Sequence, residues 1–390
     1  MKTIRVFLQL CLFALVLQLT FFSGCTPAGE KATADINYGS FLQNHDMVWD
    51  SIPNNWLVAP YTGNGNIGFL FYQQAGEGKN TLSIATGRSD YYDQRLPHEG
   101  NEVTWIYRGR LPLGHFTLES RGDITSTDLR LDLWNAELTG TVKTTKGEYS
   151  VHGLTHSETD VIYFETEAGE GESVSISWFP EVPYSTLRAR LELRTDTDIS
   201  RNPRLASPYP LPPEPEFLEA DGIHFCLQSL YNERGEICTG WEISGEPDGR
   251  QVLKTSIHYS FPEHNSLETA RQNLVEARKM VADNSFFTTH RNWWHDYYPM
   301  SFITLNDPEK EAFYWIQMYK FASATRGDGP ILDLMGPWYQ PTGWPLIWGD
   351  LNVQLTYWTQ LASNRLETGE SLFSHMDIYI DNLRKMAPED

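Results

Sequence analysis

The chain has 390 residues, with 30 Lys and Arg against 51 Asp and Glu, a formal net charge of −21. That length holds two to three domains of roughly 150 residues, and the balance of 40% hydrophobic, 21% charged and 13% aromatic residues is that of a globular protein, which excludes disordered, collagen-like and coiled-coil chains. So acidic a chain repels phosphate backbones, which argues against nucleic acid as a partner and for a neutral substrate.

Lys2 and Arg5 followed by the uncharged run Val6 to Phe22 read as a secretory leader. The leader closes on Phe22-Ser23-Gly24-Cys25, which resembles the lipobox of bacterial lipoproteins. An ordinary cleaved leader or one short spanning helix are the other readings. The lipobox reading removes residues 1–24, lipidates Cys25, leaves 25–39 as a flexible tether and anchors the protein in the bacterial cell envelope, at the outer membrane or in the periplasm.

From about residue 40 to 262 the period is that of strands. Val174, Ile176 and Trp178 alternate with Ser173, Ser175 and Ser177, and Leu129, Leu131 and Leu133 alternate with polar partners. Gly122-Asp123, Lys146-Gly147, Gly169 to Gly171, Gly235 and Gly245 punctuate these runs, so a large antiparallel sandwich is expected. Six prolines between Pro203 and Pro215 make Asn202 to Phe217 a loop or an insertion across one edge. Cys226 and Cys238 flank a hairpin turn at Asn232 to Gly235, and either a cross-strand disulfide or two free thiols fits. No CxxC or His–Cys metal spacing is present, and no cofactor motif.

At Asn265 the period becomes helical. Asn265 with Glu268 reads as an N-cap pair, and Leu267, Ala270, Leu274, Ala277 and Val281 predict one amphipathic helix over 266–283. The cluster Trp293-Trp294-His295-Asp296-Tyr297-Tyr298 follows, and the span 263–304 reads as a helical linker. A helix then opens at Asp307, with Pro308 in its first position, and runs to about Thr325; others are predicted near Leu351 to Arg365 and Glu370 to Met386.

Four segments carry a family resemblance. Pro60-Tyr61-Thr62-Gly63-Asn64-Gly65-Asn66-Ile67-Gly68 resembles the P-x-G-N-G-x-L-G segment of glycoside hydrolase family 95, the α-L-fucosidase family. His290 to Tyr297 resembles its H-x-x-W-H-D-x-W element; Trp348 to Trp358 resembles its N-x-N-x-Q-M-N-Y-W segment; Asn364-Arg365-Leu366-Glu367 resembles the N-x-x-E after it. The resemblance implies a multidomain chain, β then α: an antiparallel β-super-sandwich over 40–262, the linker, and the start of an (α/α)6 barrel over 305–390.

In that family the water-activating side is built around the two asparagines of N-x-N. The second falls on Asn352 and the first on Asp350, where an aspartate can serve as the base itself or merely hold Asn352 by a hydrogen bond. Both also suit an N-cap. Trp338, Tyr339, Trp344 and Trp348 lie on a Gly- and Pro-rich loop stiff enough to hold ring faces open to a sugar, or they close a core. Trp338, Trp344 and Trp348 are the candidate stacking residues. Asn64 and Asn66 read either as a tight Asn-Gly turn or as a sandwich loop leaning on the barrel mouth. His290 and His295, five apart, lack one-face metal spacing and read as packing or capping residues.

A twelve-helix barrel needs roughly 200 residues at ordinary helix and loop lengths, far more than follow Leu305. The expectation is therefore a truncated chain or a fragment that lacks the family's general acid. Two functions follow: an exported, lipid-anchored glycosidase cleaving terminal α-linked L-fucosyl or L-galactosyl residues of an oligosaccharide or polysaccharide with inversion, or a non-catalytic glycan-binding surface lipoprotein.

Overall fold

The computed structural model describes residues 35–95, 109–192 and 209–386. The leader, Cys25, most of the tether and the first prolines of the Asn202 to Phe217 run lie outside the described residues.

Fourteen described strands form two antiparallel sheets. In chain order they are β1 (Met47–Trp49), β2 (Tyr61–Gly63), β3 (Ile67–Tyr72), β4 (Thr81–Arg88), β5 (Gly114–Ser120), β6 (Ile124–Asp132), β7 (Glu137–Thr144), β8 (Glu148–Thr155), β9 (Val161–Ala168), β10 (Val174–Pro180), β11 (Glu216–Ala220), β12 (Ile223–Ser229), β13 (Glu236–Gly245) and β14 (Arg250–Ser260). The large sheet runs β1-β6-β7-β8-β9-β14-β13-β12-β11 and the small one β10-β5-β4-β3-β2. Alternation places Phe69 and Phe71 of β3 against Phe164 of β9, with ring centroids 5.8 and 5.2 Å apart, so the inner faces share one core.

β9 is buried on both faces. Ile162 and Phe164 point into the sandwich, while Val161 and Tyr163 join a second cluster outside it. That is why Val161-Ile162-Tyr163-Phe164 is a continuous apolar run. The predicted helix forms as Ser266–Ala282, and its Ala270 and Leu274 pack on Phe225 and Cys238 of the sheet's outer face.

The cysteine alternatives are settled by register. Cys226 pairs with Thr239, and Cys238 with Leu227. The two thiols therefore point to opposite faces of the sheet, Cys226 into the main core and Cys238 under the covering helix, and both are free.

The described helices are α1 (Tyr38–Leu42), α2 (Thr186–Glu192), α3 (Ser266–Ala282), α4 (Ser285–Tyr297), α5 (Pro308–Ala324), α6 (Gln354–Ala362), α7 (Leu366–Ile378) and α8 (Ile380–Met386). Tyr38 and Gly39, at the end of the expected tether, thus open a helix: Asn37 accepts from the Ser40 N–H at 3.0 Å, and Tyr38 and Leu42 are buried. At α3 the expected N-cap pair does not form. The Glu236 carboxylate from β13 accepts from both the Ser266 N–H and its hydroxyl instead, and Glu268 pairs with Arg271. Asp307 does cap α5, accepting from the Lys310 N–H at 3.3 Å. The aromatic cluster belongs to α4, whose Phe286, His290, Trp294 and Tyr297 face the core. The last predicted helix is two, divided at Tyr379, and β11 begins within the expected proline loop, at Glu216, as an exposed edge strand.

Candidate functional site

One cavity of about 1150 Å³ lies where the sandwich meets the helices. Its sandwich wall consists of two turns. In the first, Gly65 sits at φ +89, and a Cβ there would meet the Thr325 carbonyl carbon and the Arg326 nitrogen, both at 2.8 Å. Only glycine lets the Asn64 to Asn66 turn lie this close to the end of α5. Asn64 spends its side chain within the fold: its Oδ1 accepts from the N–H groups of Asn66 and Ile67, and its amide donates to the His156 and Thr159 carbonyls at 3.0 Å. Asn66 is half-buried and donates to Asp160 at 3.3 Å.

The second turn, His156 to Asp160 between β8 and β9, is held from behind by two neutral histidines. Nδ1 of His156 accepts from the N–H groups of Glu158 and Thr159, which leaves the proton on Nε2 to donate to the Phe286 carbonyl at 3.0 Å. His290 repeats the arrangement, accepting from the Ser157 N–H at 3.1 Å and donating to the Asn135 carbonyl at 2.9 Å. Burial pulls His156 down to about 4 and, with His156 beside it, His290 to about 3. At the end of the turn, Asp160 accepts from Arg88 at 2.7 Å, and Arg88 also grips Asp90. Burial opposes the Arg88 charge, but these two carboxylates outweigh it and raise its pKa.

The helical walls follow from spacing. On α4, Thr289, Asn292, Trp293 and Asp296 recur at helical intervals along the flank of the core-facing stripe and line the cavity. On α7, Glu367, Glu370 and Ser374 do the same. The turn after α5 adds Arg326, Gly327 and Asp328. Asn364 and Arg365 tie the start of α7 to the end of α4: Asn364 donates to the Met300 carbonyl at 2.7 Å, and Arg365 to Ser301, Ser363 and Tyr298.

The sequence-predicted residues divide accordingly. Asn64 and Asn66 line the cavity, the former as a structural brace. Asp350 and Asn352 do not; both are exposed on the turn that leads into α6, outside the cavity lining. Trp338 is corrected from an open stacking face to a core residue. It is 8% exposed and donates its indole N–H to the Thr62 carbonyl at 2.8 Å, and its backbone loop seats on Gly87, where a Cβ would meet the Pro337 carbonyl at 2.2 Å. Trp344 is 56% exposed and edge-on to Trp348 at 4.8 Å, an aromatic pair separate from the cavity. His290 packs as expected; His295 stacks on Trp134 at 4.0 Å and bonds Asn135.

Glu158, Asp160, Arg326, Asp328 and Glu370 were not anticipated from the sequence. The signal for the first four was two short polar turns that follow regular elements, His156-Ser157-Glu158-Thr159-Asp160 and Thr325-Arg326-Gly327-Asp328-Gly329, whereas Glu370 lies on α7. Among the described residues, no group of three His, Cys, Asp or Glu side chains is placed to hold a metal ion.

No protein-family model and no curated protein sequence matches the chain. Among solved structures it is similar to a protein assigned as a kojibiose phosphorylase from the human microbiome, at 11% identity and a TM-score of 0.48, over 71% of this chain and 38% of that one. It is also similar to a bacterial glucoamylase complexed with acarbose, at 9% identity and a TM-score of 0.44, over 86% of this chain and 54% of that one. The chain spans between about two fifths and about half the length of these proteins.

Proposed function

We propose that the protein is a carbohydrate-active enzyme of the glycoside hydrolase type, related to the α-L-fucosidase family, exported and lipid-anchored at Cys25. The observation that carries the reading is convergence. Three of the four segments that resemble that family lie far apart in the chain, yet Asn66, then Asn292, Trp293 and Asp296, then Asn364 and Glu367 all line the same cavity. Packing alone does not require this.

The cavity is larger than the roughly 300–1,000 Å³ of ordinary small-ligand pockets, which suits an oligosaccharide end. Inverting hydrolysis needs a carboxylic acid on the leaving oxygen and a carboxylate that activates water from the other face, roughly 6.5–9.5 Å away. Asp160 is committed to Arg88. Glu158, Asp296, Asp328, Glu367 and Glu370 come from four different segments and can supply carboxyls on more than one side of a bound sugar. Terminal α-linked L-fucosyl and L-galactosyl residues are the substrates that the resemblance suggests.

The test is turnover of a panel of α- and β-glycosides, with the product anomer followed by NMR, in the protein and in Glu158→Gln, Asp296→Asn, Asp328→Asn and Glu367→Gln variants of unchanged thermal stability. Loss of an acid or base is expected to lower kcat by about 10²–10⁴ in two of the four. Loss confined to Asp350→Asn or Asn352→Ala would move the chemistry to the entrance of α6. Glycan binding without turnover would make the protein a binding lipoprotein, and neither binding nor turnover would sink the reading.

A further inference from the structure

From Ser51 to Gly76 the chain carries no charged residue, although 21% of its residues are charged. Much of that stretch is buried in β2 and β3, but the part before them is not. Two backbone bonds seat this part on the end of β3: Gln73 donates its N–H to the Pro53 carbonyl at 2.8 Å, and Phe71 donates to the Pro60 carbonyl at 2.9 Å. Between these points the chain makes one helical turn, Trp56–Val58, closed by Asn55, whose Oδ1 accepts from the Leu57 N–H at 2.9 Å. None of the three turn residues is buried: Trp56 is 42% exposed, Leu57 69% and Val58 56%. Single apolar side chains on a surface are ordinary, but three in succession on a turn pinned at both ends form a projecting apolar tip.

The tip is joined to the end of the fold that the tether enters. Only α1 and one helical turn, Gln43–His45, separate the tether from β1, and Trp49 of β1 donates its indole N–H to the Val58 carbonyl at 2.6 Å. Cys25 and Asp35 are ten residues apart, at most about 35 Å of extended chain. Acyl chains on Cys25 would therefore hold the folded body close to the bilayer, where contact with lipid is an intramolecular event that a few side chains can sustain. Each large apolar side chain taken out of water is worth roughly tenfold in partition, and tryptophan favours the interfacial layer itself. Charge selects the same face. The chain at −21 is repelled by anionic headgroups, whereas this turn brings no charge of its own to them. The exposed apolar side chains of α7 and α8 are instead interspersed with exposed Glu367, Glu370, Asp377 and Asp381.

We infer that the Trp56-Leu57-Val58 turn is a membrane-docking element, which inserts its side chains into the interfacial layer of the bilayer that holds Cys25. The inference rests on the lipid-anchor part of the functional reading.

The test uses the full chain, processed by a bacterial host, reconstituted in phosphatidylcholine vesicles and carrying a nitroxide at Leu57→Cys. Cys226 and Cys238 are buried and do not compete for the label. Two other positions serve for comparison: Lys279→Cys on α3, and Leu355→Cys on the exposed apolar stripe of α6. Electron paramagnetic resonance reads collisions with a water-soluble nickel complex and with oxygen, which concentrates in lipid. The Leu57 label should lose most of its nickel collisions and gain oxygen collisions, while the Lys279 and Leu355 labels keep their nickel collisions. Mass spectrometry of the N-terminal peptide reports acylation of Cys25 in the same sample. A Leu57 label open to nickel on an acylated protein overturns the inference and leaves the anchor standing. Shielding at Leu355 in place of Leu57 overturns it by moving the membrane face to α6. Dipolar broadening between Leu57 labels overturns it in favour of a second copy covering the turn. An unacylated Cys25 removes the anchor, and the inference falls with it. If Leu57→Cys does not fold, the same label at Val58→Cys decides.

Discussion

Lowering the pH from 7.5 to 5 should weaken the fold through the two histidines behind the Glu158 turn. His156 is neutral because burial outweighs the one bond that would favour its charge, the donation to the Phe286 carbonyl, and it is held at about 4 against 6.5 in an unfolded chain. The unfolded chain therefore takes up this proton first as pH falls. Stability from His156 is complete above about pH 6.5 and drains away as the pH drops toward 4. The loss works out at about 2 kcal/mol at pH 5 and about 3 kcal/mol once the pH is below 4. His290, held at about 3, acts in the same direction over a window that extends lower. Glu137 acts elsewhere on the scale. Burial opposes its charge, but His152 and Arg291 outweigh that and hold it at about 2, so its contribution is intact above about pH 4.5 and fades only below it. Urea unfolding at pH 7.5, 6.5, 5.5 and 5.0 measures the slope. His156→Asn keeps a short acceptor for the turn's N–H groups but has no proton to gain, so it should be less stable at pH 7.5 and show a shallower decline. Stability that is flat from pH 7.5 to 5, or an equally steep decline in His156→Asn, would refute the reasoning.

Trp338→Ala should cost about 3–5 kcal/mol in urea unfolding because it empties a core position, whereas Trp344→Ala, on the surface, should stay within about 0.5 kcal/mol; equal effects would contradict the assignment of Trp338 to the core. Gly65→Ala should cost about 2 kcal/mol or more, combining a left-handed backbone with a Cβ forced against Thr325 and Arg326, and should weaken glycan binding as the turn lifts from α5; a neutral result in thermal melts would mean the turn does not seat there. Both Cys226 and Cys238 should take up iodoacetamide in denaturant without prior reduction and resist it in the native state, as mass spectrometry would show; a disulfide-linked pair would overturn the strand register.

Much of the fold was legible because burial leaves a period. The serine alternation around Trp178 and the leucine alternation of β6 follow directly from which face meets the core, and Asp307-Pro308 announces α5 through the chemistry of its first turn. Other features depend on what lies opposite in space. The N-cap at α3 was misread because a carboxylate from β13 competes for the same donors, and no local pattern contains Glu236. The fate of the cysteines turns on register, since one residue of slip would have faced them together. α4 was hidden because its aromatic residues serve two faces at once, Trp294 toward the core and Trp293 toward the cavity. Of the segments quoted for the family resemblance, three carry residues that line the cavity, among them Asn66, Asp296 and Glu367. They could not show that Asp350 stays outside it, nor that a charged turn residue such as Arg326 is buried.

The pairing of β9 with β14 has a consequence for how the chain reaches its native state. Arg250 and Glu165, which meet across these strands, are 85 residues apart in sequence. During synthesis β9 leaves the ribosome with β8 ready to pair on one side and nothing on the other until β14 follows. Its Val161-Ile162-Tyr163-Phe164 run is therefore an exposed apolar sheet edge for that interval, the kind of window that recruits other chains. Closing so long a loop before the reward of pairing slows this step, as it does the pairing of β1 with β6. At elevated expression, aggregation should compete with it there.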